Sequence, residues 1–260
     1  MTADRTNWRD HDWQLIRGEP VPVVLNHALD EVLVRRVGHG ERSPTLRFWD
    51  RQGPEIVLGR FQSVRNEVQV ENTTADGIEV NRRITGGGAM FVEPQNAVTY
   101  SIYAPADLVK GLGFADSYAF LDEWVIEGLR SLGIDAWYEP INDITSSGGK
   151  IGGAAQARRH GAVLHHVTMA YDMAPESLPK YLRIGQEKLS DKGITSANRR
   201  VGPLRLQTQM ERLDIIEHLI GTFRERHGLT PGQITEDEMQ EAEELVRTQF
   251  GTEEWRFLLP

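Results

Sequence analysis

Two glycine-rich stretches carry the residue types in this sequence that are best suited to chemistry. The first glycine stretch, residues 82–91, reads RRITGGGAMF, and the second glycine stretch, residues 142–156, reads NDITSSGGKIGGAAQ. Glycine lets backbone N–H groups approach a ligand closely, and a neighbouring Arg or Lys supplies positive charge. The two stretches therefore predict a site for a phosphate-bearing or otherwise anionic small molecule.

Neither stretch matches the common phosphate-binding motifs. The dinucleotide fingerprint requires G-x-G-x-x-G between a strand and a helix, whereas a strand is predicted after Gly88. The Walker pattern requires Ser or Thr after Gly-Lys, and Ile151 follows Lys150 here. Glycine neighbours give Lys150 no packing partner, so an active-site lysine and a solvated loop lysine are both open interpretations.

The histidines favour a pocket residue over a metal site. His165 and His166 are adjacent on a predicted strand, so their side chains point to opposite faces and cannot easily share one ion. His160 adds no metal-binding helix motif. Two interpretations of this pair are open. One of the two histidines lines a pocket, or it is a core histidine whose ring nitrogens are hydrogen-bonded. A hydrolase triad is weakly supported because no G-x-S-x-G elbow is present.

Composition excludes several classes of function. A net charge of −9 and a pI near 5.4 argue against nucleic acid as a partner, because phosphate-tracking proteins need a basic face. The sequence has no apolar run long enough for a membrane span and no secretory N-terminus, so we expect a cytoplasmic protein without a membrane partner. The 260 residues contain no cysteine, which excludes disulfides, thiolate nucleophiles and cysteine-ligated metals on this chain.

The hydrophobic pattern predicts helices and strands without strict βαβ alternation, which favours an α+β fold with mixed or antiparallel sheets flanked by helices. Predicted helices cover residues 23–37, 67–75, 117–132, 178–182, 209–227 and 236–250. Predicted strands cover residues 45–49, 56–58, 78–82, 89–92, 97–103, 136–138 and 162–171. We expect strands 89–92 and 97–103 to pair with each other, the second glycine stretch to form a loop, and residues 193–203 to form a hinge.

Both glycine stretches resemble signatures of the lipoate–protein ligase A family, which is related in fold to the biotin–protein ligases. Residues 82–89 resemble R-R-x-[ST]-G-G-G-A, and Asn142-Asp143 with residues 150–155 resemble N-D followed by K-[IV]-x-G-x-A. His165-His166-Val167-Thr168 resembles the family's H-H-G-T strand. Residues 26–31, 46–49, 59–68, 194–196 and 254–255 also fall where the family has similar residues.

The resemblance implies a biotin/lipoate-ligase-like catalytic domain that joins lipoate to a lysine of a lipoyl-acceptor domain. Lipoate and ATP, the latter with Mg²⁺, would give lipoyl-AMP and pyrophosphate before transfer. Lys150 would be catalytic, offsetting negative charge on the reacting carboxylate and phosphate. The implied substrate- and adenylate-binding residues are Arg83, Gly86, Gly87, Gly88, Ala89, Met90, Phe91, Asn142, Asp143, Gly153, Ala155, His166 and Thr168.

Three departures from the family pattern accompany this resemblance. Val92-Glu93 replaces a usual His-Asp, and Gln95 and Val167 stand where glycine is common, so we expect Val167 to narrow a pocket. We also expect one catalytic domain over residues 1–260, helical from about residue 200, without the accessory domain of many members. A separate accessory-domain protein would then supply that part, or the chain would only transfer preformed adenylate.

Two alternatives to a ligase remain open. One is acyl transfer from a carrier protein without ATP. Related octanoyl and lipoyl transferases work through a cysteine thioester, so the missing cysteine counts against that route. The other alternative is a non-catalytic binder of lipoyl-AMP, against which the presence of Lys150 counts.

Overall fold

The computed structural model describes residues 6–174, 177–183 and 201–259. Within these residues the strands are β1 (Gln14–Arg17), β2 (Thr45–Trp49), β3 (Glu55–Leu58), β4 (Glu79–Arg82), β5 (Met90–Val92), β6 (Ala97–Pro105), β7 (Ala136–Glu139), β8 (Asp143–Ser146), β9 (Gly149–Arg159), β10 (Ala162–Ala170) and β11 (Thr230–Pro231). The α-helices are α1 (Val23–Gly38), α2 (Val64–Glu67), α3 (Val70–Ala75), α4 (Phe114–Ser131), α5 (Leu178–Tyr181), α6 (Arg212–His227), α7 (Glu236–Leu245) and α8 (Glu253–Arg256).

The strands form a large and a small sheet. The large sheet has the order β11-β1-β2-β6-β10-β9-β8-β7, with parallel pairing among its first three strands and antiparallel pairing beyond them. The small sheet has the order β4-β3-β5. Strands β6 and β10 have a neighbouring strand on each side, and all but one residue of each is buried, as expected at the centre of a sheet.

Helices α4 and α6 cover one face of the large sheet. Leu121, Trp124, Val125 and Leu129 recur at helical spacing and are buried in the main hydrophobic core, which Phe223 of α6 also joins. Gly128 allows the two helices to approach, since a Cβ there would lie 2.6 Å from a methyl group of Leu219. This layer leaves the opposite face of the sheet for α1 and the small sheet.

Helix α1 buries polar as well as apolar side chains. Leu29 and Val32 pack in a second core with residues of α7 and the turn of π-helix that follows it at Val246–Phe250. Asn26, His27 and Asp30 are also buried, and all three make hydrogen bonds. A surface helix has a single apolar stripe, so this polar buried face marks α1 as part of a site.

The α+β class and the predicted strands and long helices are confirmed, with shifts of a few residues at their ends. The helix predicted at 67–75 is two short helices, α2 and α3, and the one predicted at 236–250 ends as π-helix. The hinge predicted at 193–203 lies outside the described residues except for residues 201–203. In the described part of the chain, no helix is long and apolar enough to cross a membrane.

Two predictions about strand pairing were wrong. Strands β5 and β6 do not pair with each other, because β5 pairs with β3 of the small sheet while β2 and β10 occupy both edges of β6. Gln95 in the connection has a φ of 63°, which turns the chain from one sheet to the other. The second glycine stretch is a hairpin of β8 and β9 rather than a loop, so Lys150 lies on a strand.

Candidate active site

Strands β8, β9 and β10 bring the predicted site residues of the second glycine stretch onto one face of the large sheet. His166 and Thr168 alternate with buried apolar residues on β10. Ala155 lies opposite His166, Gly153 lies opposite Thr168, and Asp143 lies opposite Gly153. Since paired positions on neighbouring strands share a face, these five residues line the same surface.

The first glycine stretch lies over this surface. A Cβ added to Gly87 would be 3.9 Å from the Cβ of Ala155. Thr85, immediately before the three glycines, is hydrogen-bonded to His166 of β10 at 2.8 Å between its Oγ1 and the imidazole Nε2. The two glycine stretches, about 60 residues apart in sequence, therefore meet at one place.

Lys150 and Asp143 form an ion pair beside this meeting point. The Lys150 Nζ is 2.9 Å from the Asp143 Oδ1, and the Asp143 side chain is 1% exposed while that of Lys150 is 21% exposed. A Cβ at Gly153 would lie 3.5 Å from the Lys150 Nζ and 3.8 Å from the Asp143 Oδ1. Glycine at 153 thus keeps a side chain away from the ion pair at this position.

The hairpin that holds Lys150 is braced from two directions. The Asn142 Nδ2 donates to the Ala154 carbonyl at 2.6 Å, which fixes one end of the hairpin. At the other end the Gly202 N–H donates to the Lys150 carbonyl at 2.8 Å, and Gly202 has no room for a side chain, since its Cβ would lie 2.4 Å from the Gly148 carbonyl oxygen. The sequence analysis missed Gly202, which belongs to none of the recognised motifs.

Arg83 holds the backbone of the first glycine stretch through hydrogen bonds. Its guanidinium is buried and donates to the carbonyl oxygens of Gly86 at 2.7 Å and Gly88 at 2.9 Å. Burial lowers the pKa of Arg83 to about 10, so the group is still charged at neutral pH. Gly87 has a φ of 93°, which favours glycine. The structure therefore places Arg83 against the backbone of the stretch.

A buried chain of polar groups continues from Thr85 into α1. The His166 Nδ1 is 3.1 Å from the Asp30 Oδ2, and Tyr103 OH donates to the same carboxylate at 2.5 Å. Burial lowers the pKa of His166, and its bond to Asp30 offsets part of that effect. Burial opposes ionisation of Asp30, but the hydrogen bond from His166 and nearby positive charge hold its pKa below the usual value. His166 is therefore neutral and Asp30 ionised near pH 7.

His165 occupies the opposite face of β10, as its position next to His166 predicts. Its Nε2 is 2.7 Å from the Asp122 Oδ1 of α4, inside the main core. Val167 is buried in that same core, away from the face that carries His166 and Thr168, so the expectation that it narrows a pocket was wrong. Among the residues the structure describes, no group of three or more His, Asp or Glu side chains could hold a metal ion.

The remaining predicted residues lie in β5 of the small sheet and in the segment just before it. Gly88 is exposed, Gly86, Ala89 and Met90 are half-buried, and Phe91 is buried against Tyr181 with ring centroids 4.6 Å apart. The predicted role of Phe91 in nucleotide binding therefore stays a prediction. A cleft of about 590 Å³ at the β1–β11 edge of the large sheet contains none of the predicted residues.

A second buried polar cluster on the α1 face was missed by the sequence analysis. Trp49 at the end of β2 lies close to the guanidinium groups of Arg47 and Arg51, whose Cζ atoms are 5.4 Å and 5.2 Å from its ring centroid. Glu55 bonds both Arg51, at 3.1 Å, and His27, at 3.0 Å. Burial opposes ionisation of Glu55, but His27 and Arg51 hold its pKa below the usual value. Arg47, a charged residue within the predicted strand 45–49, gave the only sequence signal.

Comparison with known proteins identifies relatives that cover nearly the whole chain. The family model described as the lipoyl protein ligase A/B catalytic domain matches residues 22–224. An octanoyltransferase LipM of Kyrpidia tusciae is 29% identical, over 94% of this chain and 98% of that protein. Lipoate-protein ligase A subunit 1 of Thermoplasma acidophilum is 30% identical, over 89% of this chain and 90% of that subunit.

Solved structures give the same fold. A bi-partite lipoate protein ligase from T. acidophilum, described with its E2 lipoyl domain, has a TM-score of 0.82 and 29% identity, over 96% of this chain and 98% of that chain. A putative lipoate protein ligase with bound lipoic acid, from the same organism, has a TM-score of 0.80 and 26% identity, over 96% and 100% of the two chains. A lipoate-protein ligase A bound with ATP has a TM-score of 0.81 and 26% identity, with the same coverage.

Proposed function

Because this chain belongs to the lipoyl protein ligase A/B catalytic-domain family, it is an enzyme of the lipoate ligase and transferase group, and we propose that it attaches lipoate to an acceptor lysine through lipoyl-AMP. The observation that carries the proposal is the Lys150–Asp143 pair at 2.9 Å, which lies beside the side-chain-free Gly153 and near the first glycine stretch. A cation beside exposed backbone N–H groups suits a molecule that has both a carboxylate and a phosphate.

The proposed reaction has two steps. A lipoate carboxylate oxygen attacks the α-phosphorus of ATP, and pyrophosphate leaves. The acceptor lysine nitrogen then attacks the acyl carbon and loses a proton, while the acyl–phosphate bond breaks and AMP leaves. The Lys150 ammonium offsets the negative charge that builds on the carboxylate and phosphate oxygens in both steps.

The other predicted residues take binding roles in this proposal. The backbone from Gly86 to Phe91 holds the nucleotide phosphate, with Arg83 fixing its shape. Asp143 orients Lys150 and the incoming amine, while Asn142 holds the hairpin end. Gly153 and Ala155 leave room for the acyl-adenylate, and His166 and Thr168 lie beside its acyl end. Mg²⁺ enters with ATP, bound to its phosphates.

The acceptor and accessory partners are proposed from the relatives. The T. acidophilum ligase is bi-partite and is described with an E2 lipoyl domain. We propose that this chain acts as a single catalytic domain on a comparable lipoyl domain, either alone or with a separate accessory protein that supports adenylate formation.

A second candidate is acyl transfer from a carrier protein without ATP, which the octanoyltransferase relatives favour. Transfer through an acyl-thioester on this chain is excluded because its 260 residues contain no cysteine. A transferase here would have to move the acyl group directly from the carrier thioester to the acceptor lysine, in the same site.

A donor comparison tests the proposal. The purified chain is incubated with a lipoyl domain and lipoate with Mg·ATP, synthetic lipoyl-AMP, or an octanoyl carrier protein, and the acceptor's intact mass is measured. Modification from lipoyl-AMP is the expected result, and modification from Mg·ATP as well would show that no accessory protein is needed. Modification from the carrier alone would establish the transferase instead. An acceptor domain lacking its target lysine is the control.

A further inference from the structure

The first glycine stretch is anchored to the large sheet through one side chain, and we propose that Asp30 and His166 are positioning residues that fix this stretch by holding the hydroxyl of Thr85. The kinetic part of this inference rests on the proposed function, but its structural part does not. Thr85 belongs to the first glycine stretch, His166 to β10 and Asp30 to α1, so the three side chains tie together three separate parts of the fold.

The donors and acceptors of this chain of hydrogen bonds have a single consistent direction. An ionised Asp30 can only accept, so the His166 Nδ1 carries the proton that points to it. Neutral His166 then has an unprotonated Nε2, which can only accept. The Thr85 hydroxyl must therefore donate to His166 at 2.8 Å. Asp30 thus sets the tautomer of His166, and the tautomer sets the orientation of the Thr85 hydroxyl.

Further contacts show that Asp30 is held in place. Its carboxylate also accepts from Tyr103 OH at 2.5 Å and from the Ser101 Oγ at 3.3 Å. On the other side, the Thr85 carbonyl accepts from the Arg60 N–H at 2.8 Å. The residue before Gly86 is therefore fixed through both its side chain and its backbone.

Thr85 acts by positioning and not by contact with substrate, because it is 0% exposed. Its removal leaves the surface that faces the ligand chemically unchanged. The three glycines that follow it lack side chains of their own to pack, so they depend on such anchors for a fixed backbone. Loosening the anchor should weaken binding of the adenylate more than it slows the chemical step.

Substitutions at Thr85 and Asp30 test this inference. Thr85→Val keeps the volume but removes the donor, Thr85→Ser keeps the donor, and Asp30→Asn removes the charge that sets the tautomer. The matched control is Asp122→Asn, because Asp122 is equally buried and bonds the neighbouring His165 and Tyr100 on the opposite face of the sheet. Two kinds of measurement are made: hydrogen–deuterium exchange of the backbone at residues 84–91, and steady-state kinetics with lipoyl-AMP, which give KM and kcat.

We expect Thr85→Val and Asp30→Asn to raise exchange across residues 84–91 by about tenfold and to raise KM by a similar factor, with a smaller change in kcat, because a buried hydrogen bond is lost. Thr85→Ser should restore both values. Unchanged exchange in Thr85→Val would overturn the inference, and so would an equal local increase in Asp122→Asn. A wild-type chain inactive with every donor would refute the proposed function, while the exchange measurement would still decide this inference.

Discussion

Lys150 is a charged residue on β9, and most of the residues near it in that strand are glycines. Gly149 precedes it, Gly152 and Gly153 follow it, and Asp143 holds its ammonium group at 2.9 Å. A lysine side chain has considerable rotamer freedom, and this ion pair restricts it before substrate binds. The pair therefore presents a preorganised positive charge at the place where negative charge is proposed to develop.

Replacement of Lys150 should remove that stabilisation without unfolding the protein. We expect Lys150→Ala to lower the rate of transfer from lipoyl-AMP by at least about 100-fold, a loss typical when one charge-stabilising group is removed. The melting temperature should fall, because the buried Asp143 carboxylate loses this partner, but the protein should stay folded, since Lys150 itself is partly exposed. Lys110→Ala, at an exposed lysine outside the site, is the control. Wild-type turnover in Lys150→Ala would refute the proposed role.

Arg83 differs from Lys150 in that its charge is directed at the protein's own backbone. Its Nη2 donates to the carbonyls of Gly86 and Gly88, and its Nε donates to Gly86 as well. A lysine ammonium cannot reproduce this planar set of donors. We expect Arg83→Lys to raise the KM for lipoyl-AMP about tenfold and to destabilise the fold by about 1–3 kcal/mol.

Arg9→Lys is a matched control for Arg83→Lys. Arg9 also donates to two backbone carbonyls, those of Arg226 at 2.7 Å and Glu225 at 3.1 Å, on a surface away from the glycine stretches. We expect this control to leave KM unchanged, as measured by steady-state kinetics. A KM that rises equally in both variants would show that the effect is not specific to the first glycine stretch.

At the scale of elements, the turn after β3 packs directly on the first glycine stretch. A Cβ at Gly59 would lie 2.1 Å from the Gly87 carbonyl oxygen. The Gln62 Oε1 accepts from the Gly59 N–H at 2.9 Å, which explains the Gly-x-x-Gln spacing of this segment. The small sheet and the first glycine stretch therefore form one unit.

Gly59→Ala should separate the turn from the first glycine stretch. The new methyl group would meet backbone that cannot rotate away, so we expect a destabilisation of about 1–3 kcal/mol together with reduced acyl transfer. Gly18→Ala is the comparison, because Gly18 is exposed and nothing lies within 4 Å of its added Cβ. Chemical unfolding of both variants measures the difference, and equal midpoints would contradict the close packing at Gly59.

The sequence predicted the helices and strands better than it predicted which strands pair with each other. Hydrophobic periodicity located α4 and β10 because each buries a regular apolar pattern. It could not show that β5 leaves β6 for the small sheet, since both edges of a strand look alike in sequence. The glycines of 148–153 indicated a loop, yet Gly152 and Gly153 lie in β9. At Gly152 an added Cβ would lie 2.8 Å from the Thr168 carbonyl oxygen, so the neighbouring strand β10 leaves no room for a side chain there.

The candidate site could be predicted only in part. Motif spacing predicted Lys150, Asp143 and both glycine stretches as site residues, and the structure brings them close together. Asp30, Arg47 and Glu55 could not be found this way, because their roles depend on α1, β2 and β3 converging beneath the first glycine stretch. Buried charged residues have no local pattern in sequence, and only the assembled fold pairs them.

At the scale of the whole molecule, the two ends of the described chain pack around the large sheet. Near the N-terminus, Trp8 stacks on His227 at the end of α6 with ring centroids 4.4 Å apart, and Phe223 contacts both rings. Near the C-terminus, the Trp255 Nε1 donates to the Arg82 carbonyl at 2.8 Å, and the Trp255 ring lies under Arg60. The C-terminal helix therefore supports the small sheet and, through it, the candidate site.

The Trp8–His227 contact should make the stability of the whole molecule depend on pH. Burial lowers the pKa of His227 to about 4, and the charges of Arg226 and Arg9 add to that effect. An unfolded histidine takes up a proton near pH 6.5. Between those two values the unfolded state binds more protons than the folded state, so stability falls as the pH falls. This contribution is fully present above pH 6.5 and is lost progressively toward pH 4.

His227→Phe keeps a ring against Trp8 and removes the titration. We expect the melting temperature of the variant minus that of wild type to increase by at least about 2 °C when the pH is lowered from 7.5 to 4.5. The reason is that only the wild type has to keep a proton off His227 in order to stay folded. Scanning calorimetry of both proteins across this range measures the difference. Since Asp30 and Glu55 are present in both proteins, their own acid titration cancels. A difference that does not vary with pH would show that His227 is not held neutral by the packing of the two ends.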